Sequence, residues 1–432
     1  MKFVKKHSLF LLFLLGLIIR LSMIFYDYSW DVNNHMVWAK DLMMRGPQNF
    51  YETLSSNVFA YPTPNYPPLA IYVFVVVRFL NPLIHGLYWW LNVHISLVPS
   101  NLIFFLEKTV FLAGLMKIPA ILTDLGIALI IFNFAKKIVP KNKKGQIMAT
   151  SLILFNPAFI FNSALWGQID SIPIFFVLLS AYFLLYSKKD FLSAALFLVA
   201  LLIKPTVIIF LPVYAVLFIK KYGLKKTILD LLLMNFIFCL SFLPFSKGKN
   251  IFLYPYQIYY VKILAAQSLS FVTNGAFNPW VLITKMKGIK DTTVFFLGIS
   301  YQMFGYIITG FFSLLAILPI VKGKKTAETF FVAMFLVAFA AFLFLTKMHE
   351  RYSLLPLVFL LLLSLRKKEL TGWFVFLSIM SYINHYHSWA VPRFEILFKI
   401  IDNLFFISIV SLINTVVFFY FFKTLLFGKK DY

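Results

Sequence analysis

The chain has 432 residues, of which 61% are hydrophobic and 13% charged, and a formal net charge of +24. An ordinary soluble domain carries about a quarter charged residues, so this composition cannot cover a water-facing surface and excludes a soluble enzyme. Basic residues punctuate apolar runs instead of collecting on one polar face, which excludes a nucleic-acid footprint, and the single cysteine, Cys239, excludes an internal disulfide framework.

Read from the start, Met1 to Arg20 has the basic opening and apolar run of a signal peptide but no small-residue cleavage site after it, which predicts a retained first helix. Apolar runs able to cross roughly 30 Å of hydrocarbon follow near 8–25, 110–135, 147–165, 171–187, 190–204, 206–220, 227–245, 294–321, 327–346, 352–366, 370–386 and 400–423. Lysine and arginine sort the connections. Clusters stand at Lys2, Lys5 and Lys6; at Lys136, Lys137, Lys141, Lys143 and Lys144; and at Lys188 and Lys189. More follow at Lys220, Lys221, Lys225 and Lys226; at Lys322, Lys324 and Lys325; at Arg366, Lys367 and Lys368; and at Lys423, Lys429 and Lys430. They occupy every second loop, and the positive-inside rule places them in the cytoplasm. The expectation is a single all-α transmembrane domain over 1–432, with about twelve crossings and both termini cytoplasmic.

With 136–144 inside, the segment 26–109 is a long extracytoplasmic loop. Its apolar stretch Leu69–Leu80 then lies on the outer leaflet, with Tyr88, Trp89 and Trp90 in the interfacial belt. A second long outer loop spans 246–293. The remaining polar residues gather on this outer side: Asp27 and Asp31; the proline-braced Tyr61-Pro-Thr-Pro-Asn-Tyr-Pro-Pro-Leu69; Trp166-Gly-Gln-Ile-Asp170; Lys204-Pro205; and Met348-His-Glu-Arg-Tyr352. Ionisable groups at membrane depth cost about 2.5–3.5 kcal/mol each and mark sites or pathways. Asp31, Asp170, Lys204, His349, Glu350 and Arg351 flank run ends and Asp124 lies within the second run, which together imply a polar cavity taking an anion, with Lys204, His349 and Arg351 as its cationic wall. Each has a plainer role open to it. Asp124 has Lys117 two helical turns away, Lys204 is placed to snorkel, Glu350 and Arg351 can bridge each other, and Asp27 can cap a loop helix.

Asp31 with Trp38 seven residues on, Tyr66-Pro67-Pro68-Leu69, Trp166-Gly-Gln-Ile-Asp170, Lys204-Pro205 and Met348-His-Glu-Arg-Tyr352 occur in this order. The pattern resembles the GT-C membrane glycosyltransferases, most closely the GPI mannosyltransferase II-related proteins of bacteria and more distantly the dolichyl-phosphate-glucose glucosyltransferases. The resemblance implies a GT-C fold whose long first loop carries membrane-parallel helices, and a cell-envelope hexosyltransferase. It would move a sugar, mannose by the nearest likeness, from a polyprenyl phosphate to a hydroxyl of a glycan, lipid or protein acceptor on the outer face. It also implies Asp31 as general base, with Asp27 as rival. Lys204, His349 and Arg351 would hold the donor phosphate, and Tyr66, Trp166, Gln168, Asp170 and Glu350 would bind substrate. A divalent cation, Mg²⁺ or Mn²⁺, on Asp31 is found in some relatives and not in others. His349, Glu350, His385 and His387 are a weaker candidate ligand set, because His-x-His does not share a helix face. The alternative reading is a transporter or flippase of a lipid-linked sugar. The sequence speaks against it, since no internal repeat is present and the polar residues sit at one face of the membrane.

Overall fold

The computed structural model describes residues 2–428 except 188, 267, 324 and 325. Of the basic clusters, Lys188, Lys324, Lys325, Lys429 and Lys430 lie outside the described residues, as do the side chains of Lys2, Lys5 and Lys6. The chain is 73% helical and nearly all-α, which suits a backbone without water to satisfy its amide groups.

The first half runs α1 (Lys2–Leu21), α2 (Trp30–Arg45), α3 (Pro68–His94), α4 (Asn101–Leu106), α5 (Thr109–Ile138) and α6 (Lys143–Leu154). Next come α7 (Pro157–Ile160), which continues as a π-turn over Phe161–Trp166, then α8 (Ser171–Tyr186), α9 (Asp190–Ile203), a 3-10 turn over Pro205–Phe210, α10 (Leu211–Tyr222) and α11 (Leu224–Ser241). The second half holds α12 (Leu253–Ile258), β1 (Thr273–Asn274), α13 (Trp280–Thr284), the hairpin β2 (Val294–Phe296) with β3 (Ile299–Ser300), α14 (Tyr301–Val321) and α15 (Ala327–Phe344). It closes with β4 (Met348–His349), α16 (Leu354–Ser364), α17 (Leu370–Ser388), α18 (Glu395–Ile401) and α19 (Leu404–Phe427).

Among the described residues seven helical segments are long and apolar enough to cross a bilayer: 68–94, 109–138, 143–166, 205–222, 301–321, 327–344 and 404–427. Residues 9–21, 171–186 and 190–203 are apolar but shorter. This is the make-up of a polytopic membrane protein. α15 is buried along nearly its whole length and α16 along all of it, and both are apolar on every side, so they form the heart of the bundle.

Two apolar runs fold differently from expectation. The run 294–321 is helical only from Tyr301; its first residues form the β2–β3 hairpin, because Leu297 and Gly298 both take positive φ (49° and 79°) and turn the chain back. The run 352–366 yields an eleven-residue α16 preceded by a 3-10 turn over Glu350–Ser353.

α3 starts where the proline strap predicts, with Pro68 at its first position. It is one continuous helix of 27 residues, and by length and apolarity it qualifies as a crossing. Its contacts lie elsewhere. Ala70, Ile71, Phe74 and Val77 share an apolar cluster with Leu198, Leu202 and Ile203 at the end of α9 and with Ala113 and Met116 near the start of α5. Arg78, Asn81 and His85, in the middle of α3, line a cavity with Lys108 and Thr109, where α5 begins. The middle of α3 thus meets the start of α5.

Candidate functional site

The site is built on α2. Ser29 caps it by accepting from the Val32 amide, which leaves Asp31 in the first turn. Asp27 does not take the capping role open to it: its carboxylate accepts from the Tyr28 amide and its carbonyl from Lys117. Asp31, Asn34, His35 and Trp38 follow the i, i+3, i+4, i+7 stripe of one helix face. Together with Tyr61, Asn65, Tyr66 and Arg351 they line one cleft. Asn34 holds the proline strap over this face by exchanging two hydrogen bonds with the backbone of Phe59, at 3.0 and 2.9 Å.

The second contribution comes from the turn after the π-helical stretch. Gly167 sits at φ +83°, and a Cβ there would collide with Val32 and crowd the Lys117 side chain. The chain can therefore turn tightly against α2 only with glycine in that place. The turn delivers Gln168, whose Nε2 donates to Asp31 Oδ2 at 2.6 Å. Asp170 follows and anchors two cations: Lys204 Nζ lies 2.6 Å from Oδ1, and Arg351 Nε lies 3.8 Å from Oδ2.

Arg351 arrives from the loop between α15 and α16. That loop is pinned by the parallel pairing of β1 with β4, which sets Thr273 beside Met348 and Asn274 beside His349. Arg351 Nη1 donates to Glu350 Oε1 at 3.0 Å, while its guanidinium lies over the Trp166 ring at 5.8 Å. Glu350 Oε2 accepts from the Ser388 hydroxyl at 3.1 Å. Gly275, at φ +89°, passes so close that a Cβ would stand 2.9 Å from Glu350 Oε2 and from Ser388 Oγ.

Asp31, Tyr66, Trp166, Gln168, Asp170, Lys204, His349, Glu350 and Arg351 thus converge from separate helices and loops. The other three plainer roles are settled as well. Lys204 is 0% exposed and ion-paired, so it does not snorkel. Glu350 and Arg351 do bridge each other. Asp124 does not pair with Lys117. It binds Arg20 Nε at 2.8 Å and accepts from the Ser163 and Ser171 hydroxyls, while Lys117 donates to the Ile24 and Asp27 carbonyls.

The expected cationic wall also needs amending. His349 is buried beside Arg351 and Lys204; burial first, then those two charges, hold its ring well below the usual imidazole range. It is therefore neutral at pH 7 and hydrogen-bonds Ser268 Oγ at 2.7 Å. Lys204 and Arg351 supply the positive charge, partly balanced by Asp170 and Glu350. Burial pushes the Glu350 carboxyl up against the pull of Arg351.

The sequence missed His35 and Asn34, and Tyr61, Asn65 and Tyr352 stood within motifs without a place in the site. The helical stripe from Asp31 to Trp38 would have found the first two, since both lie on the face that carries Asp31. Buried around the cleft without hydrogen-bond partners are both ring nitrogens of His35, Gln168 Oε1, Asn65 Oδ1, the Tyr352 hydroxyl and Arg351 Nε. Unmet donors and acceptors at one cleft are what a polar ligand satisfies.

The donors do not suit a resident Mg²⁺ or Mn²⁺. Among the described residues no three His, Cys, Asp or Glu side chains gather as a cation cage, and the cleft sets a guanidinium, not a second carboxylate, with Asp31. His385 Nδ1 lies 2.6 Å from the Ser381 carbonyl and His387 Nε2 3.1 Å from Asp402, so the two rings serve separate partners. No protein-family model and no curated protein matches the chain.

Proposed function

We propose that the chain is a membrane hexosyltransferase that uses a polyprenyl-phosphate sugar, with mannose the best match, and transfers it to a hydroxyl acceptor at the outer face of the cell membrane. Twelve crossings with both termini cytoplasmic, and α3 lying in the outer leaflet, complete the reading. What carries it is one observation: a carboxylate, Asp31, and a guanidinium, Arg351, line one cleft, with Lys204 joined to Arg351 through Asp170. The contacts of α3 with helix ends support its interfacial placement.

In this reaction the acceptor oxygen forms a bond to the anomeric carbon as the bond from that carbon to the phosphate oxygen breaks. Asp31 takes the hydroxyl proton. The leaving phosphate keeps the electron pair, and Arg351 with Lys204 stabilises its growing charge. Gln168 fixes one oxygen of Asp31, leaving the other for the proton. Tyr66, Trp166 and the neutral His35 give the sugar ring flat apolar faces.

The test is Asp31→Asn in purified protein supplied with a polyprenyl-phosphate sugar. Donor binding should persist while transfer falls by a factor on the order of 10²–10⁴, and Asp27→Asn should keep most of its activity. Near-normal transfer by the Asp31 variant removes it as base. A wild-type protein that carries the labelled donor across a vesicle membrane but forms no glycosidic product would establish the transporter reading instead.

A further inference from the structure

The hairpin β2–β3 stands where α14 begins, and its turn goes against residue preference. Phe296 pairs with Ile299, so the loop is the two residues Leu297 and Gly298, both at positive φ (49° and 79°). Two-residue turns of this kind favour Asn-Gly or Asp-Gly, because Asn and Asp tolerate the left-handed backbone. The Leu297 backbone is disfavoured for a bulky residue, and the side chain is 82% exposed. In water leucine is the wrong choice on both counts. In hydrocarbon the order reverses, because an unpartnered Asn or Asp side chain would then be the costly one. The strand beside the turn shows the same preference: Val294 and Phe296 are exposed, while Phe295 packs inward against Trp280, Tyr301 and Phe304.

The base of the hairpin is fixed on the first turn of α14. The Tyr301 amide donates to the Thr293 carbonyl at 3.1 Å, and the Gln302 amide to the Asp291 carbonyl at 2.9 Å. Phe295 and Phe296 then meet Phe304, three residues further into α14, with ring centres 5.0 and 6.4 Å apart. The hairpin therefore lies back against the helix, with its apolar tip beside the first turn. α14 is itself long and apolar enough to cross a bilayer, and Met303, Tyr306, Ile307, Phe311 and Leu314 form its exposed stripe. We propose that the hairpin is a membrane anchor: Phe296 and Leu297 insert into the leaflet in which α14 begins. What it anchors is the strand pair that aims Arg351. Beside the hairpin, the Asp291 amide donates to the Ser270 carbonyl at 3.1 Å and the Val272 amide to the Ile289 carbonyl at 2.9 Å. The Asp291 carboxylate accepts from the Thr346 hydroxyl at 3.2 Å. Both strands of the β1–β4 pair are thus held at their starts. The anchor goes beyond the transferase reading and does not require it.

Cys239 is the only cysteine, so the full chain with Cys239→Ala accepts a single label. Leu297→Cys, Phe296→Cys and, at the exposed base of the hairpin, Thr292→Cys are coupled one at a time to bimane in phosphatidylcholine nanodiscs. The labels at 296 and 297 should be quenched by lipids carrying a nitroxide on the acyl chain and spared by aqueous iodide. The label at 292 should show the reverse order. Iodide quenching at 297 as strong as at 292 overturns the insertion. Shielding of both outward labels from iodide and nitroxide alike would place another copy of the chain on the hairpin and overturns lipid as the occupant. A variant without a label tests the same point by sign. Leu297→Asn relieves the turn, so it should raise the unfolding temperature of a tip in water and lower that of a tip in lipid. A fall in nanodiscs is expected, and a rise overturns the anchor. None of these readouts depends on sugar transfer, so the anchor and the enzyme reading stand or fall separately.

Discussion

Two clusters of charge lie buried side by side, and consecutive residues, Asp170 and Ser171, belong one to each. In the first, Asp124 receives Arg20, Ser163 and Ser171, and Arg20 also donates to the Gly16 and Leu154 carbonyls. Both carboxylate oxygens are used, one cation meets one anion, and four segments of the bundle are tied together. In the second, three carboxylates (Asp31, Asp170 and Glu350) surround two cations, Lys204 and Arg351, and several polar atoms facing the cleft are unbonded. Burial alone does not distinguish them. The difference lies in the unmet hydrogen bonds: the first cluster leaves Arg20 Nη2 without a partner and otherwise satisfies itself as a staple, while the second leaves Asp170 Oδ2, Arg351 Nε and Gln168 Oε1 unmet at the cleft.

The sharpest way to break that comparison is to make one chemical change in both places. Asp124→Asn keeps the shape but strands a guanidinium that is 0% exposed. It should cost about 3–5 kcal/mol of stability, read as a large drop in unfolding temperature in detergent. Asp31→Asn should cost under about 1 kcal/mol while removing activity. Similar losses of stability in both variants would erase the distinction between staple and site.

Arg351→Ala comes next in size. It should raise the donor KM and lower turnover, together on the order of 10² in kcat/KM, because charge grows on the phosphate as its bond breaks. Its stability loss should be smaller than that of Asp124→Asn, since Glu350 keeps the hydrogen bond from the Ser388 hydroxyl and Asp170 keeps Lys204. A change in kcat/KM within twofold would remove Arg351 from the donor site.

Smaller again is Gln168→Leu. Gln168 touches Asp31 and acts through it, so it is a positioning residue. Turnover should fall about tenfold, the value of one hydrogen bond to a charged group, with donor KM unchanged. A rise in KM without loss of turnover would mean that Gln168 binds donor directly.

These residues also measure how far the sequence could be read. Asp31, Asp170, Lys204 and Arg351 were visible as charges beside apolar runs, whereas Gln168 was visible only through the motif it shares with Asp170. The Arg20–Asp124 pair was not, because helix spacing offers Lys117 as the nearest partner and the true one lies 104 positions away. Pairing across a bundle has no period. The hairpin at Val294–Ser300 was hidden inside an apolar run, since β-branched and aromatic residues serve a strand and a membrane helix equally well. The match of β1 to β4, which aims Arg351, joins residues 75 apart and leaves only a two-residue signature on each side.

His35 tests the comparison by pH. It lies at the back of the cleft, stacked on Phe74 at 4.1 Å, with neither ring nitrogen hydrogen-bonded. Burial is the main reason its pKa falls from 6.5 to about 3; Lys204 and Arg351 push the same way, and Asp31 and Asp170 oppose them. Below pH 6.5 the unfolded chain therefore takes up a proton that the folded protein refuses. The contribution of His35 to stability is fully present above pH 6.5 and is lost as pH falls toward 3. At pH 5.5 the loss is about 1.4 kcal/mol relative to pH 7.5 for this one group. His349, lowered well below the same value, adds to the slope with the same sign. His35→Phe keeps the aromatic stack and removes the titration, so its unfolding temperature should fall less steeply than that of the wild type between pH 7.5 and 5.5. Parallel curves for the two proteins would mean that His35 takes up its proton in the folded state as readily as in the unfolded chain. A polar ligand in the cleft should then be sought as its partner.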